Sequence, residues 1–197
     1  MKITILAGSP SATSRSAALL AHTAKQLSER GYTVRTLDVR DFPPEDLVLA
    51  RFDQPSIKAL QAAVAEADGL VVGTPVYKAA YSGALKLLLD LLPERALAGK
   101  VVLPIATGGS PAHMLAVDYA LKPVLSALNV KETLQGVYAI DKQIRWLDGG
   151  GVELDAELDE RIERALAQFS QSLGERIPPL LGEHVLSERI QARQLAI

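Results

Sequence analysis

The 197-residue sequence contains no cysteine, which excludes a disulfide framework, a thiolate metal site and a thiol nucleophile. It also has no long apolar run. The opening MKITILAGSP breaks at a glycine, too early for a membrane span or the apolar stretch of a signal peptide. Charge of one sign is not in excess either: the net charge of −2 gives no electrostatic reason to expect a nucleic-acid partner. Internal repeats are lacking. What is there is ordinary for a globular protein, with 48% hydrophobic and 22% charged residues in a chain long enough for one sizeable core. These features predict a cytoplasmic protein that begins in its first strand, with one domain over 1–173 and a C-terminal extension over 174–197.

Strand and helix signals alternate along the chain. Ile3 to Ala7 is a β-branched apolar run closed by Gly8, followed by a helix over about Ser14 to Arg30 with Gly31 as its stop. Thr33 to Asp38 predicts a second strand. Phe42 to Gln54, with prolines inside and just after it, reads mostly as connection before a helix bearing Ile57, Leu60 and Val64. Gly69 to Gly73 and Val101 to Ala106 are continuous apolar runs, as strands buried on both faces require. A weaker fifth strand falls around Thr133 to Ile140. Helices are expected over about Gly83 to Leu92, Ala112 to Leu128 and Leu154 to Leu173. Five strands with right-handed helical crossovers predict an α/β, doubly wound parallel sheet of flavodoxin-like order in a single domain. Gly149 to Gly151 marks a loop, and His184 to Ile197 a mildly amphipathic tail that docks on a neighbour or lacks fixed structure.

Chemistry concentrates where strands end. Strand one opens onto Gly8-Ser9-Pro10-Ser11-Ala12-Thr13-Ser14-Arg15-Ser16, just before a helix. Hydroxyls, a guanidinium and a helix N-terminus together suit a phosphate. The alternative is a Ser/Thr-rich capping loop. Neither the Gly-x-Gly-x-x-Gly pattern nor the Walker lysine is present, so classical dinucleotide binding and ATP chemistry are not indicated. Strand three ends in Gly73-Thr74-Pro75-Val76-Tyr77, which offers apolar and aromatic surface and backbone amides to a flat polar ring. Strand four ends in Thr107-Gly108-Gly109-Ser110, whose adjacent glycines allow close backbone approach. Either loop alone could be a tight turn. Three loops on neighbouring strands at one sheet edge make a pocket for a phosphate-bearing planar ligand. His22, His113 and His184 are scattered, and Lys78 and Arg95 are candidate contacts for a nucleotide phosphate or solvated surface residues.

The segments GSPSATSRS, TPVYKAAYSGALKLLLDLLPERAL and ATGGSPAHMLAVDYALKPVLSAL resemble the NADPH-dependent FMN reductases that serve alkanesulfonate monooxygenases, over roughly Met1 to Ala139. The phosphate loop alone fits the broader flavin reductase and azoreductase superfamily. The resemblance implies that Ser9, Ser14, Arg15 and Ser16 hold the FMN phosphate. It implies that Pro75, Val76 and Tyr77, with Thr107, Gly108 and Gly109, hold the isoalloxazine. It further implies NADPH as hydride donor and a flavin-dependent monooxygenase as recipient of reduced FMN. No side-chain acid or base is assigned, because hydride transfer is carried by the two cofactors. Two other functions stay open: a reductase that retains its flavin and reduces quinones, azo dyes or metal ions, and an electron carrier. The near-neutral charge balance counts against the carrier.

Pro123 lies inside the helix expected over Ala112 to Leu128, whose seam is Met114, Val117, Leu121, Val124 and Leu128. It cannot donate to the Tyr119 carbonyl and its ring clashes there, at about 3 kcal/mol in an unrelieved helix. One relief is a π-turn in which that carbonyl accepts from Val124; the other is a plain kink. The resemblance implies an inserted tyrosine in this helix, Tyr119, at a subunit interface near the flavin. The Gly83 to Leu92 helix is apolar nearly all round, which predicts burial against a second subunit as well as its own sheet, hence a homodimer or tetramer.

Overall fold

The computed structural model describes residues 1–148 and 151–174. The tail over His184 to Ile197, and the Gly149 and Gly150 part of the expected loop, lie outside the described residues. Nine strands, six α-helices and shorter turns follow one another in the described part. The main strands are β1 (Lys2–Ala7), β2 (Thr33–Asp38), β3 (Gly69–Tyr77) and β5 (Val101–Gly108), with β6 (Glu132–Thr133) and β7 (Val137–Ile140) at one edge. They run parallel in the order β2-β1-β3-β5, with β6 and β7 both paired to β5, which is the doubly wound order expected. The expected fifth strand is interrupted at Gly136, whose φ of +87° only glycine adopts at low cost. A Cβ there would also lie 2.9 Å from the Pro104 carbonyl oxygen.

Alternate strand residues feed two cores. Ile3, Ile5, Val71, Leu103 and Ile105 bury against α1 (Arg15–Glu29) and α6 (Ala156–Gly174). Leu6, Leu70, Val72 and Val102 bury against α3 (Pro55–Glu66), α4 (Gly83–Asp90) and α5 (Lys122–Ala127) on the other face. Both faces of the central strands are therefore covered, which accounts for their unbroken apolar sequence. No helix among the described residues is long and apolar enough to cross a membrane.

Three features depart from the sequence expectations. The 39–48 stretch is more than connection: a 3₁₀ turn (Val39–Asp41) and the short helix α2 (Pro44–Val48) place Val39, Phe42 and Leu47 in the core with α4. As a result Leu91 is fully buried and Leu87 half-buried within the chain itself. The apolar circumference of α4 is thus satisfied without a second subunit, and it carries no argument for a dimer. Two antiparallel hairpins were also not anticipated. One joins β3 to β4 (Ala80–Tyr81), and the other joins β8 (Ile144–Trp146) to β9 (Val152–Leu154).

The third departure is the 112–128 segment, which is not one α-helix. It comprises a 3₁₀ turn (Pro111–His113), a π-helix (Val117–Leu121) and α5. The Lys122 N–H donates to the Val117 carbonyl, five residues back. Tyr119 lies inside this widened turn and Pro123 is the second residue of α5; the five-residue bond runs to the Val117 carbonyl and not, as expected, from Val124 to the Tyr119 carbonyl. The π-turn inserts one residue and rotates everything before it relative to α5. Met114 lies in the turn after the 3₁₀ segment, off the expected helical seam, and is exposed, while Val117 and Leu121 are buried.

Candidate active site at the carboxyl edge of the sheet

The expected phosphate loop sits between β1 and α1, with Ser14 as N-cap: its Oγ accepts from the Ala17 N–H at 3.2 Å. Ser9, Ser14 and Ser16 are all buried. The Ser14 and Ser16 hydroxyls share a hydrogen bond of 2.7 Å, and Ser9 Oγ accepts from the Ser11 N–H at 3.3 Å. The first amides of α1 have no intrahelical acceptor and carry the positive end of the helix dipole. Arg15 adds its guanidinium. Its Nε is buried without a hydrogen-bond partner, whereas Nη1 reaches Asp141 Oδ2 at 3.8 Å. A buried donor with no acceptor costs about 1–3 kcal/mol, a cost that an anion placed against this loop would relieve.

The second group is fixed to the first. The Gly8 N–H donates to the Gly73 carbonyl at 2.8 Å. Ser82, the N-cap of α4, donates its hydroxyl to the Gly8 carbonyl and accepts from the Leu85 N–H at 3.0 Å. Its own N–H donates to Thr74 Oγ1 at 2.9 Å. β3 runs on through Pro75, Val76 and Tyr77, so these are strand-end residues rather than a following loop. Pro75 is buried, Val76 half-buried and Tyr77 exposed, a gradient that turns apolar surface towards solvent. Lys78 and Ala79 form the tip of the β3–β4 hairpin, both with positive φ (49° and 62°), as a two-residue hairpin requires.

Thr107 and Gly108 likewise end β5, in register with Pro75 and with Ala139 and Ile140 of β7. Gly109 follows, exposed. Tyr138 braces this end: its hydroxyl donates to the Ser110 carbonyl at 2.7 Å and lies 2.3 Å from where a Cβ on Gly108 would be. Burial, and then the charge of Asp141, push the Tyr138 phenol above its ordinary value, so the hydroxyl remains a donor at neutral pH. Ser82, Tyr138 and Asp141 did not emerge from the sequence. A serine just before an apolar helix signals a cap, but its second bond to Gly8, across 74 positions, has no local signature.

All three groups of expected residues thus meet at one edge. Beside them the π-helix packs onto the same strand ends, where Ala116, Val117 and Leu121 share a crevice with Thr74, Val76, Tyr81 and Ala106. Tyr119 does not line this crevice and is 79% exposed. A separate cavity of about 380 Å³ lies on the α6 side of β7, lined by Met114, Tyr138, Ile140, Gln143 and Arg161 among others. It contains no phosphate-loop residue. The donors at the strand ends form an open shelf instead. Arg95 lies in the turn leading to the amino end of β5, the opposite edge, away from this shelf. His22 bonds Asp159 (3.1 Å) and Gln26 (3.0 Å) between α1 and α6 and takes no part in it.

Known proteins resemble this chain in sequence and in fold. The profile of the NADPH-dependent FMN reductase family matches residues 1–145. An FMN reductase (NADPH) of Pseudomonas putida is 55% identical over 194 residues, covering 96% of this chain and 98% of that one. Another, from Escherichia coli K12, is 52% identical over 92% of this chain and 96% of its own. Among solved structures, the apo form of the NADH:FMN oxidoreductase EmoB superposes with a TM-score of 0.81 at 36% identity, over 90% of this chain and 91% of that one. Matched by the family profile over residues 1–145 and by relatives over most of its length, the chain belongs to the NADPH-dependent FMN reductase family.

Proposed function

We propose that this protein reduces FMN with NADPH and releases the reduced flavin to a partner flavin-dependent monooxygenase, one that acts on alkanesulfonates. NADPH-dependent FMN reduction is the activity of the family to which it belongs. The observation that supports the site is the orphaned, buried Arg15 Nε beside three buried serine hydroxyls at a helix N-terminus. That donor set fits a phosphate monoester, and it needs no metal to do so.

When bound, FMN supplies the acceptor for a hydride from nicotinamide C4. The chain's own part is placement. Ser9, Ser14, Arg15 and Ser16 anchor the phosphate, which fixes how far the ring extends over the strand ends. Pro75, Val76 and Tyr77 give it an apolar seat, and the exposed side of the shelf leaves one ring face free for a nicotinamide. The Gly108 and Gly109 amides would offer fixed donors to a ring that gains negative charge on reduction, a stabilisation that needs no reorganisation. No side chain is assigned as acid or base.

The reading includes a cytoplasmic enzyme and a homo-oligomer. Support for the oligomer now rests on Tyr119 with its exposed neighbours Met114 and Leu115, on the segment that also floors the flavin shelf. Deleting Tyr119 is expected to change both oligomeric state and flavin retention; unchanged values for both would remove that part of the reading.

The test is NADPH oxidation by the purified protein with and without added free FMN. A colourless protein whose oxidation rate rises steeply with FMN is expected. A yellow protein indifferent to free FMN would point to a flavin-retaining reductase, and no NADPH oxidation would point to an electron carrier.

A further inference from the structure

A carboxylate faces the phosphate loop. Asp141 opens the 3₁₀ turn Asp141–Gln143 directly after β7, whose last residue Ile140 is in register with Gly108. Its Oδ2 lies 3.8 Å from Arg15 Nη1 and 3.9 Å from where a Cβ on Gly109 would be. Asp141 therefore stands between the phosphate-anchoring arginine and the amides assigned to the ring. Both side chains of the pair are nearly half exposed (41% and 45%), so the attraction is screened and can be exchanged.

We infer that Asp141 sets how loosely FMN is held, by sharing the Arg15 guanidinium with the phosphate and opposing the phosphate's charge. The inference rests on the proposed phosphate role of the loop and extends it to the difference between a flavin that is kept and one that is exchanged. Asp141 lies within ion-pair reach of the Nη1 end of Arg15, and Arg15 Nε has no acceptor within the chain. With the loop filled, a dianionic phosphate and a carboxylate compete for one cation. Ground-state affinity falls, and dissociation of FMN is favoured. The effect acts on the phosphate charge and not on the ring, so it distinguishes FMN from riboflavin. It also leaves the apolar seat at Pro75, Val76 and Tyr77 untouched.

The experiment compares FMN and riboflavin binding, by flavin fluorescence titration, to the full-length protein and to Asp141→Asn, which keeps size and hydrogen-bonding capacity. Asp141→Asn is expected to bind FMN about threefold more tightly or better, with riboflavin affinity unchanged. The gain should shrink as salt is raised, because the pair is exposed. It should shrink also in an Arg15→Ala background, where no guanidinium remains to share. Equal or weaker FMN binding by Asp141→Asn, or an equal gain for riboflavin, would overturn the inference while leaving the phosphate loop intact. If the unsubstituted protein bound FMN no better than riboflavin, the phosphate reading itself would fall, and this inference with it.

Discussion

The Tyr138 hydroxyl occupies the space that a side chain at Gly108 would need: a Cβ there would lie 2.3 Å from it, while the same hydroxyl holds the Ser110 carbonyl at 2.7 Å. Gly108 is thus required by a neighbour within the chain. Gly108→Ala is expected to cost about 1–3 kcal/mol, the range for overpacking. In a Tyr138→Phe background the clashing atom is gone and the next is 3.3 Å away, so the same substitution should cost less. A double-mutant cycle by urea denaturation measures the coupling. Strict additivity would show that Tyr138 is not what excludes a side chain at Gly108.

Tyr138→Phe alone removes one hydrogen bond and should cost about 1 kcal/mol. Its pH dependence has a definite sign. Burial raises the phenol above its ordinary value in the folded state. That contribution is whole below the unfolded tyrosine value of about 10 and is lost as pH rises through the folded value. Stability curves measured from pH 8 to 11 should therefore fall less steeply for Tyr138→Phe than for the unsubstituted protein. Parallel curves would contradict this.

Ser82 caps α4 and ties it to the Gly8 carbonyl, so Ser82→Ala removes a cap and a buried bond together. A loss of about 2 kcal/mol is expected in chemical denaturation. FMN titration should show weaker binding as well, because the strand-one loop loses its brace. A stability loss with unaltered FMN affinity would confine Ser82 to a structural role.

At the hairpin tip, Ala79 holds a φ of 62° without being glycine. Ala79→Gly should raise stability by about 0.5 kcal/mol, the relief of left-handed strain being partly offset by added chain entropy in the unfolded state. Thermal denaturation would detect it, and a drop in Tm would mean that the methyl group makes a contact worth more than the strain.

The fold was legible because its signals are local. The apolar run over Gly69 to Gly73 and the Ser14 cap before an apolar helix each announce an element within a few residues. The loop between β1 and α1 was legible as a loop for the same reason, since its hydroxyls, its arginine and its capped helix are contiguous. Partners contributed across the sheet were not. Tyr138 and Asp141 reach Ser110 and Arg15 only once β7 lies beside β5. The double burial of α4 was readable, but its cover was not: the proline-containing stretch before Gln54 reads as connection and still delivers Phe42 and Leu47 to the core. At Pro123 the conflict with a helix was visible in the sequence. That Met114 lies in a turn off the buried seam was not visible, because helical periodicity assumes one unbroken helix.

If the Ser9–Ser16 loop holds the FMN phosphate through Arg15, FMN and riboflavin must differ in how far they depend on that guanidinium. Dissociation constants for FMN and riboflavin should be measured for the unsubstituted protein and for Arg15→Ala. The account predicts that Arg15→Ala weakens FMN about tenfold or more, as loss of a charge-assisted contact implies, and leaves riboflavin where it was. Normal FMN binding by Arg15→Ala would contradict it.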